Sequence, residues 1–75
     1  MTFAEYLQSV AKNYLETKKV VRNYRMGQAY INSLPEPQYT QFMEMTYEDA
    51  KEIDPFHKDE NLPQFLAYIE TQFER

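Results

Sequence analysis

Tyr24-Arg25-Met26-Gly27-Gln28-Ala29-Tyr30-Ile31-Asn32-Ser33-Leu34 holds the only glycine of the 75-residue chain, together with a long-chain polar triad, Arg25, Gln28 and Asn32, at helical spacing. Val20, Tyr24, Gly27, Ile31 and Leu34 repeat by alternating fours and threes, which predicts an amphipathic helix over 20–34. A glycine inside a helix costs about 1 kcal/mol relative to alanine, so Gly27 needs a structural reason. Two are open: a place on the apolar seam where a neighbouring helix packs close, or the C′ position of a shorter first piece. The unbroken spacing favours the seam. Pro35 and Pro37 then end the helix, because proline restricts the residue before it and removes a backbone donor.

Upstream, Thr2-Phe3-Ala4-Glu5 matches a capping box, and Phe3, Tyr6, Leu7, Val10, Ala11, Tyr14 and Leu15 follow at one-face helical spacing. A first helix starts here, with the polar run 16–19 as the expected connection. Downstream, Pro37 suits the first turn of a short helix through Glu44, with Tyr39, Phe42 and Met43 as its apolar positions. Thr46 is placed to cap one more turn toward Ile53, and Asp54-Pro55-Phe56 breaks the pattern, with Phe56 as the expected anchor of the loop. Asn61-Leu62-Pro63-Gln64 resembles an N-cap with proline in the first turn. Leu62, Phe65, Leu66, Ile69 and Phe73 extend a terminal helix nearly to Arg75. No segment shows sustained two-residue alternation, so the expected architecture is all-α: a single domain over 1–75, a small bundle of three main helices plus one or two short ones.

Composition narrows the function. The chain has no cysteine, which removes disulfides and thiolate metal sites, and no apolar run approaches the roughly 18 residues that span a bilayer. The start lacks the basic and apolar regions of a secretory leader, so a cytoplasmic protein is expected. Net charge is −4, unevenly spread: residues 1–35 carry five cations against two acids, residues 36–75 three cations against ten acids. Attraction between the halves is the plain reading; a bipolar surface that steers a partner is the sharper one.

His57 is the sole histidine, and one glycine cannot build a phosphate-cradling loop, so neither the usual zinc arrangements nor a nucleophile motif is present. Asp54, His57, Asp59 and Glu60 offer ligands within seven residues but lack the alternation and turn glycine of a calcium loop, and read as a solvated acidic loop. No catalytic residue, metal ligand or cofactor is assigned, and the chain reads as a non-enzyme.

The candidate interaction face is Lys18, Arg22, Arg25, Gln28 and Asn32. Such side chains can read base edges from a recognition helix, although overall acidity opposes phosphate binding. Contact with a protein partner is the better-supported of the two uses. The structural alternative has Arg25 paired with a carboxylate of the 49–60 segment, Asp54 being favoured because an Asp-Pro turn presents it rigidly, while Gln28 and Asn32 tie down loop backbone. Gly27, Asp54, Pro55 and Phe56 are the expected structural positions. Glu44, Glu48 and Glu52, four residues apart, could form an acidic ridge that imitates phosphate rows, or a plain solvated face. Tyr6, Tyr14 and Tyr24 fit the core stripes, whereas Tyr30, Tyr39, Tyr47 and Tyr68 sit at stripe edges, where they can serve as interface anchors or, as the default reading, pack into the core.

The order Thr-Phe-x-x-Tyr-Leu, then the 24–34 stretch, Asp54-Pro55-Phe56 and Leu62-Pro63-x-Phe65-Leu66 resembles a group of small uncharacterised proteins of tailed phages, including phages of cyanobacteria, over nearly the whole chain. This chain differs in Met26, where an aromatic is common, and in His57-Lys58, where a tyrosine and an acid are common. The resemblance implies a viral setting in the host cytoplasm and no activity. The expected function is therefore a small acidic module binding and modulating a host or viral protein. Alternatives are a nucleic-acid-binding accessory protein using the helix-2 face and a phosphate-mimicking inhibitor using the acidic half.

Overall fold

The computed structural model describes residues 1–56 and 58–73. The chain is 62% helical, without a strand among the described residues, as the all-α reading requires. The helices are α1 (Phe3–Lys18), α2 (Met26–Asn32), α3 (Gln38–Met43), α4 (Tyr47–Ala50) and α5 (Leu62–Glu70), with one 3₁₀ turn, Asp59–Asn61, ahead of α5.

The capping box at α1 forms in both directions. Glu5 N donates to Thr2 Oγ1 at 3.1 Å, and Thr2 N donates to Glu5 Oε1 at 2.8 Å. These bonds satisfy two of the donors a helix start leaves unpaired. They also hold the Glu5 carboxyl below its ordinary value of 4.5, the backbone bond at Thr2 contributing most. α1 runs one turn further than expected, through Lys18, so the connection to α2 is 19–25 rather than 16–19.

That shift corrects the second helix, which begins at Met26 rather than near Val20. Val20 is 81% exposed and does not belong to a buried seam. Tyr24 reaches the core from the turn instead, with its amide donating to the Val21 carbonyl at 3.2 Å. The regular spacing from Val20 to Leu34 thus combines an exposed valine, a buried turn tyrosine and a short helix.

Downstream expectations fare better. α3 follows Pro37, with Phe42 buried while Tyr39 and Met43 stay exposed. Thr46 Oγ1 caps α4 by accepting from Asp49 N at 3.2 Å. Pro63 falls in the first turn of α5, but Asn61 does not cap it with its side chain; its amide group bonds the Lys51 and Asp54 carbonyls at 3.1 and 2.9 Å. α5 stops at Glu70 rather than near Arg75. The amides of Thr71, Gln72 and Phe73 reach back three residues, and Thr71 Oγ1 donates to the Tyr68 carbonyl, which tightens and ends the helix.

Tyr6, Val10, Tyr24, Ala29, Ile31, Leu34, Phe42, Phe65, Ile69 and Phe73 form one buried cluster. Aromatic rings carry much of it: Tyr6 stacks on Phe73 with centroids 5.1 Å apart, and Phe42 meets Phe65 edge-on at 5.5 Å. Tyr6 is fully buried, and its hydroxyl donates to the Tyr30 carbonyl at 2.5 Å, joining α1 to α2. Burial, with a smaller contribution from Tyr30, pushes the Tyr6 phenol well above its ordinary value of 10.0.

Candidate functional site

The polar face read from the sequence is mostly engaged inside the molecule. Lys18 Nζ donates to the Tyr24 carbonyl at 3.1 Å and lies 5.5 Å from the centre of the Tyr14 ring, fastening the 19–25 turn to α1. Arg25 is the N-cap residue of α2, and its own amide donates to Gln28 Oε1 at 2.8 Å. Asn32 Nδ2 donates to the Tyr24 hydroxyl at 2.9 Å, and that hydroxyl donates to Asn13 Oδ1 at 2.6 Å. A chain of bonds therefore runs from α2 through Tyr24 to α1. Arg22 is exposed in the turn. Because Arg25 has an extended backbone, it is not one arc with Gln28 and Asn32 as a continuous helix would make it.

Arg25 does meet the 49–60 segment, but through Asp59 and the Phe56 carbonyl. Its guanidinium lies 3.6 Å from Asp59 Oδ1 and donates through Nη2 to the Phe56 oxygen. Asp54, the partner expected from sequence, uses Oδ1 to accept from the Phe56 amide at 2.8 Å, an Asx turn that shapes its own loop. Asp59 Oδ1 also accepts from the Gly27 amide at 3.3 Å, placing a carboxylate at the start of α2, where the helix dipole favours it.

Gly27 has its structural reason here. A Cβ at this position would lie 2.0 Å from the Pro55 carbonyl oxygen and 2.8 Å from its carbon, so only glycine admits the loop backbone. The close approach expected of Gly27 is present, but its neighbour is a loop rather than a helix, and it lies at the start of α2. Pro55, fully buried, is the residue pressed there, while Phe56, the expected anchor, is half-buried.

The acidic half presents a different surface. Tyr39 and Met43 are exposed one turn apart on α3, and Tyr47, 79% exposed, opens α4. Glu36, Glu44, Glu48, Asp49 and Glu52 lie along the same part of the chain and are exposed. They do not make one helical ridge, because the chain leaves helix between α3 and α4. Tyr47 also borders a surface cleft of about 500 Å³, with Lys51, Asp54, Lys58, Asn61 and Gln64 on its walls. Lys51 there is paired with Glu48 at 2.8 Å.

The cleft can seat a side chain or small polar group, and its walls combine both signs of charge with one aromatic face. His57 falls outside the described residues; among the described ones, no three acidic or imidazole side chains converge as a metal site would. No helix among the described residues is long and apolar enough to cross a membrane. Of the four stripe-edge tyrosines, Tyr39 and Tyr47 are exposed, whereas Tyr30 and Tyr68 are half-buried and pack on the core, a division that spacing alone does not make; the cleft depends on how 51–64 folds back and had no sequence signal. Comparisons with protein-family models, curated proteins and solved structures find no match to this chain.

Proposed function

We propose that the chain is a small acidic interaction module of phage type that binds and modulates a host or viral protein in the host cytoplasm, without chemistry of its own. The observation that carries this reading is the exposure of Tyr39, Met43 and Tyr47 in the half of the chain that holds ten of its twelve acids. Exposed aromatic and methionine side chains are what protein interfaces enrich, and their surroundings select a partner with a basic rim. The polar face of α2 supports base reading less well. Lys18, Arg25, Gln28 and Asn32 spend donors or acceptors within the chain, and a net acidic protein repels phosphate.

A pull-down from nuclease-treated host lysate tests the proposal, comparing the parent with a Tyr39→Ser, Met43→Ser, Tyr47→Ser variant. The parent is expected to enrich a protein that the variant loses and that high salt weakens. A nucleic-acid-processing enzyme as that protein would favour the phosphate-mimicking form of the reading. Fluorescence anisotropy on duplex and single-stranded DNA provides the opposing arm. Binding tighter than the roughly 10⁻⁴ M non-specific level at physiological salt, falling steeply with added salt, would replace the proposal by a nucleic-acid function.

A further inference from the structure

α1 uses only one side of itself in the core. Phe3, Tyr6, Val10 and Tyr14 pack inward, whereas Ala4, Leu7, Ala11 and Leu15 are exposed, Leu15 by 65%. At helical geometry these four fall within an arc of about 80°, a continuous apolar strip along a helix roughly 24 Å long. Further exposed apolar residues flank it: Met1 before α1, and Val20 and Val21 after it.

We propose that this strip pairs with its own copy, α1 lying antiparallel on α1 of a second molecule, with the two-fold axis at Ala11. The order of residues carries the assignment. Leu7 and Leu15 stand equally far on either side of Ala11, so an axis there sets each leucine against the other's counterpart, while Ala4 of one copy faces the aliphatic stem of Lys18 of the other. Such self-complementarity is what an isologous interface requires. Ala11 at the crossing lets the backbones approach.

Charge selects the antiparallel arrangement over the parallel one. The first half of α1 carries Glu5 alone, and its far end carries Lys18 and Lys19. Antiparallel pairing brings the Lys18–Lys19 end of one copy alongside the Glu5 end of the other and opposes the two helix dipoles; parallel pairing would stack lysine on lysine. Lys18, on the same side of the helix as the strip, has its ammonium drawn back to the Tyr24 carbonyl and the Tyr14 ring. Lys12, near the axis, has Glu16 one turn away on its own helix. One helix face per copy is at the low end of specific interfaces, so the dimer is reversible, with a dissociation constant on the order of micromolar or weaker. This inference does not rest on the proposed function, whose surface lies on α3 and α4.

Sedimentation equilibrium of the full chain from about 10 µM to 1 mM reads the association directly. The mass is expected to rise from 9.1 kDa toward twice that value, and Leu15→Glu, a change at an exposed site, should hold it at 9.1 kDa throughout with unchanged circular dichroism. The cysteine-free chain also allows a test of geometry under mild oxidation. Ala11→Cys should link to itself, and Leu7→Cys mixed with Leu15→Cys should give predominantly the mixed dimer. A mass that stays at 9.1 kDa at every concentration overturns the proposal, as does association that Leu15→Glu leaves intact. Predominant self-linking of Leu7→Cys and of Leu15→Cys, the mark of a parallel pair, overturns it as well.

Discussion

Two neighbouring stretches in the middle of the chain put opposite kinds of side chain to unexpected use. Around α2 the polar residues bond within the molecule: Arg25, Gln28, Asn32 and Tyr24 hold turns and a loop. On α3 and α4 apolar residues turn outward, with Tyr39, Met43 and Tyr47 facing solvent among carboxylates. A polar stripe is therefore a poor guide to a binding surface where the neighbouring backbone is irregular, because turns have carbonyls and amides that side chains must satisfy. α3 and α4 meet the needs of their ends locally, as at the Thr46 cap, and the side chains of Tyr39, Met43 and Tyr47 are left facing outward.

The most severe test of this contrast is Gly27→Ala. With the new Cβ only 2.0 Å from the Pro55 oxygen, the loop must move, and a loss of about 3 kcal/mol is expected, lowering the melting temperature on the order of 10–20 °C. Met43→Ala, at an exposed site, should change stability by about 0.5 kcal/mol or less. Equal effects from the two substitutions would erase the distinction.

Tyr6→Phe comes next. It strips the Tyr30 carbonyl of its donor at a buried site and should cost about 1–2 kcal/mol in denaturant melts. It also sharpens the pH behaviour. Burial raises the folded phenol above 10.0, so the unfolded chain ionises first. The Tyr6 contribution is complete below pH 10.0 and is lost progressively as pH rises beyond it. Denaturant midpoints on either side of that pH should fall more for the parent than for Tyr6→Phe; parallel declines would show that Tyr6 is not the responsible group.

A double-mutant cycle on Arg25→Ala and Asp59→Ala should give a coupling of about 0.5–1 kcal/mol, small because both side chains are partly exposed and separated by 3.6 Å. Coupling of Arg25 to Asp54 that exceeds its coupling to Asp59 would restore the pairing expected from sequence. The smallest effect belongs to the outward face: Tyr47→Ser should leave the melting temperature nearly unchanged, within about 0.5 kcal/mol, while weakening partner capture. A large loss of stability there would mean that Tyr47 is structural.

Sequence by itself determined the features that depend on neighbours three or four residues away. The Thr2–Glu5 box, the start of α1 with Phe3, Tyr6, Val10 and Tyr14 among its inner residues, an end of α2 ahead of Pro35, the Thr46 cap, proline in the first turn of α5 and the all-α class were legible, because helical contacts recur at fixed spacing along the chain. It also marked Gly27 as a place of close approach and Arg25 as bound for the 49–60 segment. Only tertiary structure decided what approached and what was bound: Pro55 rather than a helix, Asp59 and the Phe56 carbonyl rather than Asp54. It likewise decided that Val20 stays in solvent and that Leu7 and Leu15 lie off the core although they continue the stripe. The reason is physical. Spacing states which side chains share a helix face, whereas burial depends on how much of that face the rest of a 75-residue chain can cover.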